Sequence, residues 1–339
     1  MTDTFLDIIQ NTPIVIGTAT KSVVDAPYNA IRNANFNSYT HEWSLKWEST
    51  EQTRGTITFN ADAQTVIDAA TAGGKRIRGH ALAWHQALPS WYSSLSVDEK
   101  KKAMEFHVRT LVNRTKAVIY KWDVVNEAIA DENNQYRSFW SELGGIQMIR
   151  NCFIWARETD PDAILVYNDY NCTSMTSKAD AIYAMVKELK RLGTPIDEVG
   201  FQAHESIHYM GDAWFSSMRD NILRFKALGV RVSISELDLR IDLFPGSLTD
   251  KFERQATCFY NMIITALSDL SACNEITFWQ FSSKYTWIYD FFNVDSSNLP
   301  CPWDNSNMPT AAVDAIKQGL KYVVTLSRVQ NKGSYWRRY

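Results

Sequence analysis

Two glutamates stand out because each closes a segment with the composition of a buried strand. Val118, Ile119, Tyr120, Trp122, Val124 and Val125 are β-branched or aromatic, and the run ends in Asn126-Glu127. Such a run suits a parallel strand covered on both faces. The segment 231–239 delivers Glu236 in the same way, 109 positions downstream. A single strand-end glutamate is more often a loop cap or a surface charge. Two in matching positions suggest one acid/base site assembled from distant parts of the chain.

Such a pair suits glycoside hydrolysis. One protonated carboxyl donates to the leaving oxygen, and one ionised carboxylate acts on the other side of the anomeric carbon. Their environments must then hold the two pKa values apart. Asp238 lies two positions after Glu236, and His204 ends another strand-like segment. A histidine held by Asp238 and donating to Glu236 would keep that carboxylate ionised. Asn126, beside Glu127, is a neutral donor suited to a sugar 2-hydroxyl.

Strand-like segments cover residues 14–19, 35–39, 76–84, 119–126, 163–168, 198–203, 230–236 and 275–280. Helical patterns lie between them, over 61–72, 97–114, 139–159, 178–192, 212–228, 250–270 and 309–324. Asn60 and Ser96 are the expected caps of the first two, and Gly73-Gly74 stops the first. This alternation, without a linker, predicts one (β/α)8 TIM barrel over residues 1–326, with 327–339 as a C-terminal tail, frayed or strapped to the surface. An open doubly wound sheet is the runner-up, but no glycine-rich turn follows the first strand.

The 339 residues carry 35 basic and 38 acidic side chains, which gives no ground for nucleic acid or an acidic membrane as partner. The 12 Trp and 15 Tyr suit a sugar substrate, although a large core explains most of them. No apolar run reaches transmembrane length, and no signal peptide precedes Phe5. A secreted protein whose signal has been removed would read identically, and extracellular action is expected, with the cytoplasm left open. Five cysteines without CxxC spacing leave at least one thiol unpaired within the chain and speak against a zinc cluster.

The strand ends taken together resemble the xylanases of glycoside hydrolase family 10. The carrying motifs are Gly79-His-Ala-Leu-Ala-Trp-His85, Leu88-Pro-Ser-Trp91, Trp122-Asp-Val-Val-Asn-Glu127, Tyr167-Asn-Asp-Tyr-Asn171, Gly200-Phe-Gln-Ala-His204 and Ser235-Glu-Leu-Asp238. The resemblance implies an enzyme that cleaves internal β-1,4 bonds of xylan or xylo-oligosaccharides with retention, without metal or cofactor; a monomer is expected, although nothing in the sequence reads out oligomeric state. It implies Glu127 as acid/base and Glu236 as nucleophile, with His204, Asp238, Asn126 and Asp123 in support. His80, Trp84, Gln202 and Trp279 would line the sugar site before the cleaved bond, Tyr170 would lie beyond it, and Trp287 would cover the cleft.

After the second strand the chain reads Thr40-His-Glu-Trp-Ser-Leu-Lys-Trp47, keeping the family's Glu42 and Lys46 as substrate contacts. Trp43 replaces an Asn, Ser44 a Glu, Ala87 a Gln, and Ser283 an Asp. The lost Asn and Gln both belong to the second sugar on the non-reducing side. That subsite is expected to be reshaped around Trp43, which leaves another β-1,4-linked glycoside as an alternative substrate. A metal-dependent hydrolase using His80, His85, His204 and His208 is a weaker rival, since His80 and His85 are five apart and a pleat points them to opposite faces. A silent sugar-binding barrel is weaker still, because both glutamates are kept.

Overall fold

The structure, a computed structural model, describes residues 3–23 and 25–335, with side chains to residue 329. Ten strand segments run in parallel: β1 (Val15–Thr20), β2 (Ser38–His41), β3 (Arg76–Gly79), β4 (Ala83–Trp84), β5 (Lys121–Asn126), β6 (Ile164–Asp169), β7 (Glu198–Phe201), β8 (His204–Ser206), β9 (Arg231–Arg240) and β10 (Cys273–Phe278). The order β10-β1-β2-β3-β5-β6-β7-β9 closes through β9–β10 pairing, so the sheet is an eight-staved (β/α)8 barrel. β4 extends the third stave and β8 the sixth.

The strand expected over 76–84 is interrupted, and the one expected over 198–203 ends at Phe201 before the chain pairs again as β8. Residues 80–82 separate β3 from β4, and 202–203 separate β7 from β8. Ala203 has φ 60°, which turns the chain out of the ladder so that His204 can pair again beside Asp238. The helix expected over 139–159 is two, Ser138–Glu142 and Ile146–Thr159, because Gly144 and Gly145 both adopt positive φ. Short helices at Phe5–Ile9 and Ala26–Asn35 carry too few periodic residues to be read from sequence.

Capping was more legible. The side chains of Asn60 and Ser96 each accept the backbone N–H three residues on, and Ser96 with Glu99 completes a reciprocal capping box. The final helix, Ala311–Tyr335, passes through the expected boundary at 326/327, since no Pro or Gly stands between Gly319 and Gly333 to end it. The expected tail residues Arg337 and Arg338 lie outside the described residues. All five cysteines are buried free thiols. No helix among the described residues is long and apolar enough to cross a membrane.

The barrel interior is not wholly apolar. Lys121 on β5 places its ammonium 2.7 Å from Glu198 of β7 and 2.5 Å from Glu275 of β10, with all three side chains buried. Tyr120 Oη donates to Glu275 at 2.9 Å. The arrangement ties three staves across the lumen, and its carboxylates have no water to turn to. Lys121→Met should therefore destabilise the fold by about 3–5 kcal/mol. Chemical denaturation of the two proteins at neutral pH checks this, and a difference under about 1 kcal/mol, the worth of a surface ion pair, would contradict it.

Candidate active site

Glu236 lies within β9 and is only 4% exposed. Asn168 Nδ2 donates to its Oε1 at 2.7 Å, and His204 Nε2 lies 3.1 Å from its Oε2. The other His204 nitrogen meets Asp238 Oδ2 at 2.9 Å. Burial alone would raise the Glu236 pKa. The His204 hydrogen bond, with the nearby His80 and the His204 and Arg78 charges, outweighs burial and holds the carboxyl below its ordinary value. For His204 burial works the other way, but Asp238 and then Glu236 overcome it and push the imidazole up to about 10. At neutral pH His204 is thus a cation donating to both carboxylates.

Beneath this pair, Arg78 grips Asp123 in a fork, at 3.2 Å to Oδ1 and 2.6 Å to Oδ2, and donates to the Ser235 carbonyl at 2.7 Å. Asp123 Oδ2 also fixes His80 Nδ1 at 2.7 Å. Burial opposes ionisation of Asp123, yet Arg78 and then His80 hold its pKa below the usual range. Gly200 makes room for this layer: a Cβ there would lie 2.3 Å from Asn168 Oδ1.

Glu127 ends β5 at φ 55° and is 8% exposed. Trp84 Nε1 donates to its Oε2 at 2.9 Å, while Gln202 Nε2 and Asn126 Nδ2 donate to its Oε1 at 3.0 and 3.2 Å. Asn126 Oδ1 in turn accepts from Asn168 at 2.9 Å. Neutral amides therefore link the two glutamates, while the cations gather on Glu236.

The remaining expected residues surround this pair. The His80 and Trp279 rings meet edge to face at 5.1 Å, and Trp287 hangs on Asp238 through Nε1 at 2.9 Å with its ring 4.8 Å from that of His204. Lys46, 6% exposed, has its ammonium 4.7 Å from the Trp84 ring centroid and 4.0 Å from that of Trp43. Burial lowers the Lys46 pKa to about 8, against the pull of Glu236, Glu42 and Glu127. Trp43 itself is 51% exposed. Glu42 accepts from Gln280 at 2.6 Å and lies 3.4 Å from Lys21. Tyr170 sits on the far side of Glu127, joined to it through Arg137.

Sequence reasoning passed over Arg78, Asn168, Arg137, Lys178 and Asp169. Asn168 and Asp169 fall inside a quoted motif but were outranked by Tyr170; Arg78 gives no local signal, being a basic residue in an apolar strand. His80, Asp123 and Glu236 bring one donor atom each within 4.8 Å of one another. Arg78 already neutralises Asp123, which makes this a poor cation site, and His85 does not join it.

The depressed Glu236 pKa contributes stability above about pH 4.3, lost as pH falls through the folded value; the raised His204 pKa contributes stability below about pH 6.5, lost as pH rises through about 10. In His204→Gln the Glu236 carboxyl should titrate at higher pH, observable by NMR. The stability gap to the parent should be widest near pH 6 and narrow towards pH 10. An unmoved Glu236 titration would show that Arg78 and Asn168 suffice.

Comparison with known proteins gives a consistent picture. The model of the glycosyl hydrolase family 10 matches residues 5–319. Endo-1,4-beta-xylanase B of Thermotoga neapolitana is 36% identical over 267 residues, 78% of this chain and 75% of the relative. An endo-1,4-beta-xylanase of Agaricus bisporus is 33% identical over 309 residues, 89% and 90% respectively. The crystal structure of xylanase 10B from Thermotoga maritima superposes with a TM-score of 0.88 at 32% identity, covering 95% of this chain and 99% of that one. Xylanase 10B from Thermotoga petrophila RKU-1, solved with xylobiose, matches with the same TM-score and identity, covering 95% of this chain and 98% of its own. A family match over nearly the whole chain, on a barrel that links two buried glutamates through Asn126 and Asn168, makes this protein a member of glycosyl hydrolase family 10.

Proposed function

We propose that the protein hydrolyses internal β-1,4-xylosidic bonds of xylan or xylo-oligosaccharides with retention, by double displacement. The carrying observation is the unequal setting of the two glutamates: His204 and Arg78 favour ionised Glu236, while Glu127 has only neutral donors on its oxygens. In the first step Glu236 attacks the anomeric carbon as Glu127 gives its proton to the leaving oxygen. A glycosyl ester on Glu236 and a shortened chain result. In the second step the Glu127 carboxylate takes a proton from water, the water oxygen bonds to the anomeric carbon, and Glu236 leaves.

The neighbours fall into supporting roles. Asn126 is placed to reach the 2-hydroxyl of the attacked sugar. His80, Trp84, Gln202 and Trp279 wall that subsite, Trp287 covers it, and Tyr170 lies towards the leaving sugar. The Lys46 ammonium meets the Trp43 and Trp84 rings and makes no hydrogen bond or ion pair among the described residues, so it is free for a substrate hydroxyl on the glycone side, with Glu42 as the acceptor there. A polymeric substrate cannot cross a membrane, so the enzyme would meet it outside the cell.

Glu236→Ala should abolish turnover of every glycoside. Glu127→Ala should lower kcat/KM on xylan by about 100- to 10,000-fold while sparing activated aryl glycosides, whose leaving group needs no proton. Product analysis on xylan and on aryl xylosides tests both, and full xylan activity in Glu236→Ala would defeat the assignment.

Trp43 and Ala87 replace two sugar hydrogen-bonding groups of the family pattern. Trp43→Asn with Ala87→Gln should raise kcat/KM on xylotriose and longer chains by roughly ten- to a hundred-fold, the worth of about 1–3 kcal/mol in polar contacts. An aryl xyloside filling only the first glycone site should barely respond. Loss of long-chain activity instead would identify the Trp43 indole as a stacking platform.

A further inference from the structure

Glu127 carries a side chain at φ 55°, in the left-handed region that costs such a residue about 1–2 kcal/mol. A conformation of that kind persists only where the surroundings hold it. Here the peptide unit joining Glu127 to Ala128 is gripped at both ends by side chains. Arg137 Nε donates to the Glu127 carbonyl at 3.0 Å, and Tyr167 Oη accepts the Ala128 N–H at 3.1 Å. The amide of Glu127 is spoken for as well, donating to the Asn168 carbonyl at 2.9 Å.

The two grips are joined behind the peptide. Arg137 Nη2 donates to Tyr170 Oη at 2.8 Å, and the Tyr170 hydroxyl donates to Asp131. Lys178 lies 3.0 Å from Asp131 and 3.0 Å from buried Asp169, with its ammonium 3.4 Å from the centre of the Tyr170 ring. Asp169 Oδ2 accepts from Tyr167 Oη at 2.5 Å, which returns the circuit to the peptide. Six side chains thus form a closed loop of polar contacts around one peptide bond.

Nothing in the fold of the barrel requires such a loop, because the β5–β6 ladder already holds the strand through Asn126. Its effect is local. Fixing the 127–128 peptide fixes ψ of Glu127, and with it the direction in which the carboxyl leaves the backbone. We infer that Arg137 and Tyr167 are positioning residues for proton transfer by Glu127, holding the peptide that aims its carboxyl at the leaving oxygen. The inference rests on Glu127 being the proton donor. Neither residue exchanges a proton with substrate. Loss of either lets the strained residue relax towards the β region and withdraws the carboxyl from its line. A displacement of about 1 Å can cost on the order of a hundredfold in rate.

The test uses the dependence on leaving group, which a general loss of stability leaves unaltered. Arg137→Gln and Tyr167→Phe are measured beside Glu127→Ala by kcat/KM, which reports the first chemical step. The substrates are xylotetraose, phenyl β-xylobioside and dinitrophenyl β-xylobioside. Both positioning variants should lose roughly ten- to a hundred-fold on xylotetraose and the phenyl glycoside, within the range of lost general acid catalysis, and keep nearly full activity on the dinitrophenyl glycoside. Arg137→Lys, which retains a cation but not the fork, should recover part of the loss. Equal losses on all three substrates, or no loss on any, would overturn the inference, and because Tyr167→Phe strips a buried partner from Asp169, the part-buried Arg137→Gln decides if Tyr167→Phe fails to fold. A Glu127→Ala enzyme whose losses ignore the leaving group would instead overturn the donor assignment on which the inference stands.

Discussion

A carboxylate that is 4% exposed cannot stay ionised without opposite charge close by, and the site is arranged around meeting that need at Glu236. Two supports reach it from different staves. One rises from β3 and β5, where Arg78 forks onto Asp123 and Asp123 orients His80. The other comes sideways from β8, where Asp238 of β9 charges His204 and His204 donates to Glu236. Each support is itself a buried ion pair, costly to desolvate alone and tolerable only as part of the set. The order of the staves matters because it puts His204 and Asn168 within hydrogen-bond reach of the two Glu236 oxygens and brings His80 to 3.9 Å from one of them.

The barrel uses charge differently along its depth. The Lys121, Glu198 and Glu275 cluster is internally satisfied and offers nothing to a ligand. Higher up, Asp238 Oδ1 is buried without a hydrogen-bond partner among the described residues, and the Lys46 ammonium lies against the Trp43 and Trp84 rings. Both groups lie towards the carboxyl ends of the strands, where a sugar with several hydroxyl groups could meet them.

Backbone strain is also present around the site. Glu127, Ala203 and Gln280 each take positive φ just where a stave ends or breaks. Each turn aims a functional side chain: Glu127 its own carboxyl, Ala203 the following His204, and Gln280 an amide that donates to Glu42. Side-chain clamps hold the first of these, and Tyr28 Oη donates to Gln280 Oε1 at 2.9 Å at the third. Strain of this kind is local and reproducible because the ladder on one side and the clamp on the other leave no low-energy escape.

Much was legible in the chain itself. Buried parallel strands read as apolar runs, caps read as Asn60 and Ser96, and the polar residues Glu127, His204, Glu236 and Asp238 beside apolar runs read as chemistry, because each of these signals is local, although β9 runs on past Glu236 to Arg240 and His204 opens β8. The two-strand breaks at residues 80–82 and 202–203 were invisible, since a broken stave and a continuous one have the same composition. Arg78, Asn168 and Arg137 were invisible for a related reason: an arginine or an asparagine has no functional character until a partner 45, 68 or 10 positions away is brought to its donors. Local sequence determined which residue types stand at the ends of the strands. Only closure of the barrel decided which of them share a hydrogen bond, because that depends on stave order and register, properties of the closed sheet that no single segment contains.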